Sequence, residues 1–94
     1  MPIKVLIPTP LRAFTGKKDA LLLEGGTVGE LLTQLTTQYG QLKKHLYADN
    51  GTLRNFVNVY VNNEDIRYLK NEETPVKETD VISIIPSIAG GGEA

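Results

Sequence analysis

The apolar positions fall into short runs of two different periods. Ile3 to Ile7, IKVLI, is a β-rich stretch closed by Pro8, and Pro10 blocks its continuation because proline brings no donor to a sheet. After LRAFTGKK, read as a loop, comes DALLLE, which stops at Gly25-Gly26. Two such runs around a glycine-containing connection predict an antiparallel hairpin. Phe56 to Asn62, FVNVYVN, alternates strictly, with Val57, Val59 and Val61 on one face and Phe56, Asn58, Tyr60 and Asn62 on the other. The valines are expected inward. Asn62-Asn63-Glu64 reads as a turn into a short Asp65-Ile66-Arg67 strand, KNEETPVKET as a loop around Pro75, and VISIIP as the last strand, ended by Pro86.

The other period is helical. Val28, Leu31, Leu32, Leu35 and Tyr39 recur at steps of three and four, the spacing of one helix face. Thr27-Val28-Gly29-Glu30 fits a capping box, in which the Thr27 hydroxyl accepts from the Glu30 N–H and the Glu30 carboxylate accepts from that of Thr27. Gly40 stands where a left-handed C-terminal cap is wanted. QLKKHLYADNG reads as a turn or short helix followed by an Asp-Asn-Gly turn. The resulting order is strand, strand, helix, strand, short strand, strand. One main helix can then cover one face of a mixed sheet, with the last strand placed centrally and parallel to the first, an α+β architecture of the β-grasp, ubiquitin-like type.

Composition narrows what such a domain can do. Its 94 residues make one domain with a single modest core, hiding roughly 60 to 65% of the unfolded surface. Lys+Arg is 10 against Asp+Glu 11, for a net charge of -1, where a nucleic-acid binder would carry a basic excess gathered on one face. Lys17-Lys18 and Lys43-Lys44 read as solvated surface. There is no cysteine, so disulfides, thiolate metal sites and thiol nucleophiles are excluded. The single histidine, His45, has no neighbouring His or Cys to complete a metal site or triad, and is read as partly exposed surface. Gly25-Gly26 lacks the Gly-Lys-Ser/Thr of a phosphate loop. The carboxylate pairs Glu64-Asp65 and Glu72-Glu73 are adjacent on extended or turn-like chain and point apart. No catalytic constellation emerges, so no enzyme activity, bound cofactor or metal is expected. The N-terminal apolar stretch is too short for a signal peptide or a membrane span, which makes a cytoplasmic location the expectation.

The end of the chain, IPSIAGGGEA, is the remaining feature. Glycine lets a backbone approach another surface closely, and Pro86 to Gly91, fully extended, reaches about 20 Å, enough to thread a partner's cleft. The residues themselves leave two readings open, an idle floppy tail and a working one. The expected division is a compact domain over residues 1–88 and a flexible glycine tail with a removable extension over 89–94.

These residues carry a resemblance. IPTPLRAFTG after the first strand, TVGELLTQLTTQYG on the helix, FVNVYVNNEDIR in the third strand and turn, and DVISIIPSIAGG at the end resemble the ubiquitin-like sulfur carriers of the MoaD/ThiS family. The similarity is greatest to the branch serving thiocarboxylate-dependent cysteine synthesis. The resemblance implies a C-terminal carboxyl on Gly91, preceded by Gly90, that an E1-like adenylyltransferase activates with ATP. A sulfur donor converts it to a thiocarboxylate, and a sulfur-accepting synthase receives the sulfur. Such carriers end on the glycine pair, whereas here Gly92-Glu93-Ala94 follows. The resemblance therefore also implies a processing protease, for which a zinc-dependent, deubiquitinase-like enzyme is the candidate, and cleavage one residue later would make Gly92 the carrying residue. Phe56 and Tyr60, on the sheet face that the helix leaves uncovered, are candidate docking contacts for the activating enzyme; packing against loops is the alternative. A protein modifier joined to lysine amines and a plain interaction module are the competing functions.

Overall fold

The structure is a computed structural model, described here over residues 2–86. The expectations placed on residues 87–94, including Gly90, Gly91 and Gly92, lie outside it. Five strands form one sheet: β1 (Pro2–Leu6), β2 (Ala20–Glu24), β3 (Val57–Val61), β4 (Glu64–Asp65) and β5 (Val81–Pro86), in the order β2-β1-β5-β3-β4. The main helix α1 (Val28–Gln38) and a single helical turn α2 (Lys43–Leu46) complete it. β1 and β2 pair antiparallel, with Val5 opposite Leu21, as the hairpin signal predicts. β5 lies between β1 and β3, parallel to the first through Val5 opposite Ile82 and antiparallel to the second through Val59 opposite Ile84. This is the β-grasp arrangement.

Alternation and helical period meet in one core. Ile3 and Val5, Leu21 and Leu23, the three β3 valines, and Ile82 and Ile84 all face the helix and are buried. Val28, Leu31, Leu32 and Leu35 of α1 are at most 1% exposed against them, while Tyr39 is only partly buried at the margin of the core. Each such fully buried aliphatic side chain contributes about 1.5–3 kcal/mol.

The helix ends differ from the sequence reading. Thr27 Oγ1 accepts from the Glu30 N–H at 3.2 Å, but Glu30 Oε1 accepts from the N–H of Gly26 at 2.6 Å, not from that of Thr27. The cause is an antiparallel bridge between Thr27 and Pro75, in which Val28 N–H donates to Thr74 O and Val76 N–H donates to Gly26 O. It holds the chain extended ahead of the helix and turns the Gly26 donor toward the carboxylate. Gly29 has its own reason to lack a side chain: a Cβ there would lie 3.1 Å from the Glu72 carbonyl. At the other end Gly40 is not a left-handed cap. Tyr39 closes the helix, its N–H donating to Leu35 O at 2.9 Å, and Gly40 opens a 3₁₀ turn (Gly40–Leu42) that drives Leu42 into the core. Left-handed glycines occur instead at Gly16 and at Gly51, the latter in the predicted Asp-Asn-Gly turn.

Two connections also carry more structure than a loop. Thr9–Phe14 forms a 3₁₀ turn that buries Leu11, and the buried Thr15 hydroxyl is satisfied by the carbonyls of Lys18 and Arg12. The predicted Asp65-Ile66-Arg67 strand stops at Asp65, because Asp65 Oδ1 accepts the Arg67 N–H at 2.8 Å and caps a 3₁₀ turn (Ile66–Tyr68). With β4 only two residues long, the first half of β3 has no neighbouring strand on that side. Arg67 Nη2 covers this edge by donating to the carbonyls of Asn55 and Val57, both at 3.1 Å, and to Asn58 Oδ1. Covering an edge in this way removes a template for unwanted strand pairing.

A clasp joins α2 to the segment under the first turn of α1. The half-buried Tyr47 hydroxyl donates to Glu72 Oε1 at 3.1 Å, and burial first, then the charge and hydrogen bond of Glu72, push the phenol above its usual value. The unfolded chain releases this proton near pH ~10 while the folded protein keeps it. The stability linked to it is therefore complete below about pH 10 and is lost as the pH rises beyond. Tyr47→Phe is expected to cost about 1 kcal/mol near neutrality and to shallow the alkaline decline, as read from urea unfolding across that range.

Candidate functional site

The candidate residues Gly90, Gly91 and Gly92 lie outside the described residues, which end at Pro86. Pro86 ends β5 opposite Val57, the first residue of β3, and β5 carries ladders on both sides. The pairing with β1 runs from Val81 to Ser83, and from Ile84 to Pro86 the register is with β3 alone, which brings the end of the strand out beside Val57.

Two surfaces border it. The first is the sheet face opposite α1. Register places Leu22, Lys4 and Val81 in one row across β2, β1 and β5, then Ala20, Leu6, Ser83, Tyr60 and Asp65 in the next, and Ile85 beside Asn58 in the third. Its most exposed apolar members are Leu22, at 68%, and Ile85, at 49%. Ile85 lies next to Pro86, where the strand ends. Tyr60 belongs to this face, half-buried between Ser83 and Asp65. It also lines a shallow depression with Asn63, Glu64 and Tyr68.

The second surface is a cleft of about 270 Å³ at the end of the sheet. Leu11, Phe56 and Val57 form its apolar lining, Pro86 forms one wall, and Lys44, His45 and Arg54 stand around it. Arg54 Nε donates to the Lys44 carbonyl at 2.9 Å, and its backbone N–H donates to Leu46 O, which ties the two sides of the cleft together. The His45 ring lies against Phe14 with centroids 4.5 Å apart. Lys44 and Arg54 form no ion pair among the described residues.

The two predicted docking residues are thus separated. β3 begins at Val57, so Phe56, 41% exposed, sits in the preceding turn and lines the cleft with Pro86, while Tyr60 lies farther along the strand on the open face. Leu22 and Ile85 were not singled out from the sequence. The signal was present, since an inward Leu21 and Leu23 require an outward Leu22, and an inward Ile82 and Ile84 require an outward Ile85. Among the described residues no group of three or more His, Cys, Asp or Glu could hold a metal ion, and no helix is long and apolar enough to cross a membrane.

Comparison with known proteins agrees in sequence and in fold. A family model described as the ThiS family matches residues 5–91. The sulfur carrier protein CysO of Mycobacterium tuberculosis is 36% identical over 93 residues, spanning 97% of this chain and all of the relative. In the crystal structure of the BexX/CysO complex from Amycolatopsis orientalis, a chain 37% identical superposes with a TM-score of 0.85, covering 95% of this chain and 99% of that one. The small archaeal modifier protein 1 of Methanosarcina acetivorans, 31% identical, superposes with a TM-score of 0.87 over 96% of both chains.

The face assignment has a direct check by chemical unfolding. Leu22→Thr on the open face is expected to change stability by no more than about 0.5 kcal/mol. Its neighbour in sequence, Leu23→Ala, empties core volume and is expected to cost about 2–5 kcal/mol.

Proposed function

This chain belongs to the ThiS family, and from that premise we propose that it works as a CysO-like sulfur carrier whose diglycine, Gly90-Gly91, bears the sulfur as a thiocarboxylate. Carriers of this family are substrates for other enzymes and not catalysts. The observation that carries the reading is the family match itself, which runs through to Gly91 on a chain whose last described strand is the sheet's central one.

The chemistry follows from what a backbone carboxyl can do. Ionised at neutral pH, with an ordinary pKa of about 3.3–3.7, it is a poor electrophile. An E1-like adenylyltransferase would let it attack the α-phosphorus of ATP, releasing pyrophosphate and leaving an acyl adenylate. A sulfur nucleophile then displaces AMP to give the thiocarboxylate, which a synthase consumes. ATP belongs to the activating enzyme, and this chain supplies the carboxyl and the docking platform. An amino-acid precursor is the proposed sulfur acceptor, with a pterin or thiazole precursor as the alternatives, and the cytoplasm is the proposed setting. Gly92-Glu93-Ala94 is removed first, by the metalloprotease named above; a cut one residue later moves the role to Gly92.

The test is direct. The chain ending at Gly91 is incubated with an E1-like enzyme, ATP and sulfide, and the expected product has one oxygen replaced by sulfur in its intact mass. The untrimmed chain is expected to stay unmodified. Absence of the exchange in the trimmed chain would sink the carrier reading. The likeness to a small archaeal modifier protein favours one second reading, attachment of the same glycine end to lysine amines. That reading predicts higher-mass conjugates in cells in place of the thiocarboxylate.

Docking is proposed to use the open sheet face around the tail, with Leu22 and Ile85 joining Tyr60. Tyr60→Ala, with its fold intact, is expected to raise the KM for activation about tenfold, equivalent to about 1.4 kcal/mol of lost contact. An unchanged KM removes Tyr60 from the interface.

A further inference from the structure

The cleft at the end of β5 carries charge that the fold does not use. The chain as a whole has a net charge of -1, yet Lys44 and Arg54 stand at this cleft with no ion pair among the described residues. Arg54 spends its Nε on the Lys44 carbonyl, which fixes its position and leaves the two outer guanidinium nitrogens for a ligand. Between and beneath the cations lie Leu11, Phe56 and Val57, and Pro86 closes one side. A cationic rim over an apolar floor matches one kind of occupant: a carboxylate with an aliphatic or aromatic side chain close behind it.

We propose that this cleft seats an acidic, partly apolar segment of the enzyme that takes the tail, a proposal that rests on the carrier reading above. Position argues for that partner. Pro86 is a wall of the cleft, so an enzyme that grips the residues immediately after Pro86 lies against Lys44 and Arg54. Paired charges at such a rim gain charge-assisted hydrogen bonds and guide the approach of the partner. A bare phosphate would engage the cations but leave the apolar floor unused, and the cleft has no glycine-rich backbone turn to cradle one. The segment is therefore a peptide one, reading the flank of the tail while the enzyme's active site reads the tail itself.

The test has two arms. In the first, the isotope-labelled full chain is titrated by NMR with a synthetic peptide of alternating glutamate and leucine, with a glutamine–leucine peptide and ATP as separate probes. The glutamate peptide alone is expected to shift the amides of Lys44, His45, Arg54 and Phe56, and Lys44→Glu is expected to weaken that binding about tenfold. The Lys44 side chain makes no hydrogen bond among the described residues, so this variant should keep its fold; Lys44→Gln serves as the milder second variant, expected to fall between. Shifts that are absent or scattered, or equal with the glutamine peptide, overturn the proposal. So does a preference for ATP, which would make the cleft a phosphate site, or a change at these amides on Glu93→Gln before any peptide is added, which would make the chain's own end the occupant.

In the second arm, the chain ending at Gly91 is assayed for ATP–pyrophosphate exchange with the activating enzyme. Lys44→Glu is expected to raise KM about tenfold with kcat unchanged, and the difference should shrink at high salt. Equal KM values overturn the cleft proposal and leave the carrier reading standing. If the unsubstituted chain is not activated at all, the carrier reading fails, and the peptide titration still decides the chemistry of the cleft.

Discussion

The pairing of β5 with β1 and β3 at once is the constraint on which the rest of the molecule depends. An edge strand can fray at the cost of one ladder, whereas β5 cannot detach without breaking two and exposing Ile82 and Ile84. It joins the first strand of the chain to the last, the most non-local pairing the chain can make. Local pieces such as the β1–β2 hairpin and α1 can form early, but the sheet closes only when its end segment arrives. The strand that closes the fold is also the strand that leads out to the glycines.

That arrangement divides the domain into a side that holds it together and a side that can be shown to a partner. The inward residues of β1, β2 and β3, with Ile82 and Ile84 of β5, are apolar and buried in one core with the Leu stripe of α1. The outward rows mix Leu22 and Ile85 with Lys4, Ser83 and Asn58, so the exposed apolar area is broken by polar neighbours. A face of this composition is suited to transient contact and not to permanent burial, since obligate interfaces are larger and more hydrophobic. The edges are treated differently again. Arg67 donates to the carbonyls of Asn55 and Val57 at the unpaired start of β3. The molecule thus covers the start of β3 and leaves the sheet face open.

Periodicity made most of this architecture legible. The α1 stripe, the inward valines of β3, the hairpin and the central parallel position of β5 all follow from spacing and from the rule that crossovers are right-handed, because each depends on repeating the same burial decision several times. What could not be read depended on single contacts with distant segments. Gly40 looked like a left-handed cap, but the need to bury Leu42 kept the chain winding the right-handed way. The Glu30 carboxylate reached Gly26 because residues 74–76 had straightened the chain before the helix. The strand expected at Asp65 to Arg67 lost its last two residues to a side-chain cap. The cleft was least legible of all. Leu11, Lys44, His45, Arg54, Phe56 and Pro86 come from four separate stretches of sequence, and only the register that sets Val57 against Pro86 brings them together. Lys43-Lys44 and His45 therefore read as ordinary surface when taken alone.

In the proposed role this gathering of distant residues answers a problem that glycine creates. A pair of glycines fits a narrow cleft, but it carries no side chains by which one enzyme could tell it from any other glycine end. Discrimination between partners must then come from residues that do not travel into the active site, and it is most effective from those nearest the tail, where a mismatch displaces the reacting carboxyl. Ile85 on one side of Pro86 and the Lys44–Arg54 cleft on the other meet that requirement, since β5 carries Ile85 and supplies Pro86 to the wall of the cleft. The pairing of β5 thus does more than stabilise the fold, because it sets the surfaces that would identify the chain beside its last described residue, Pro86.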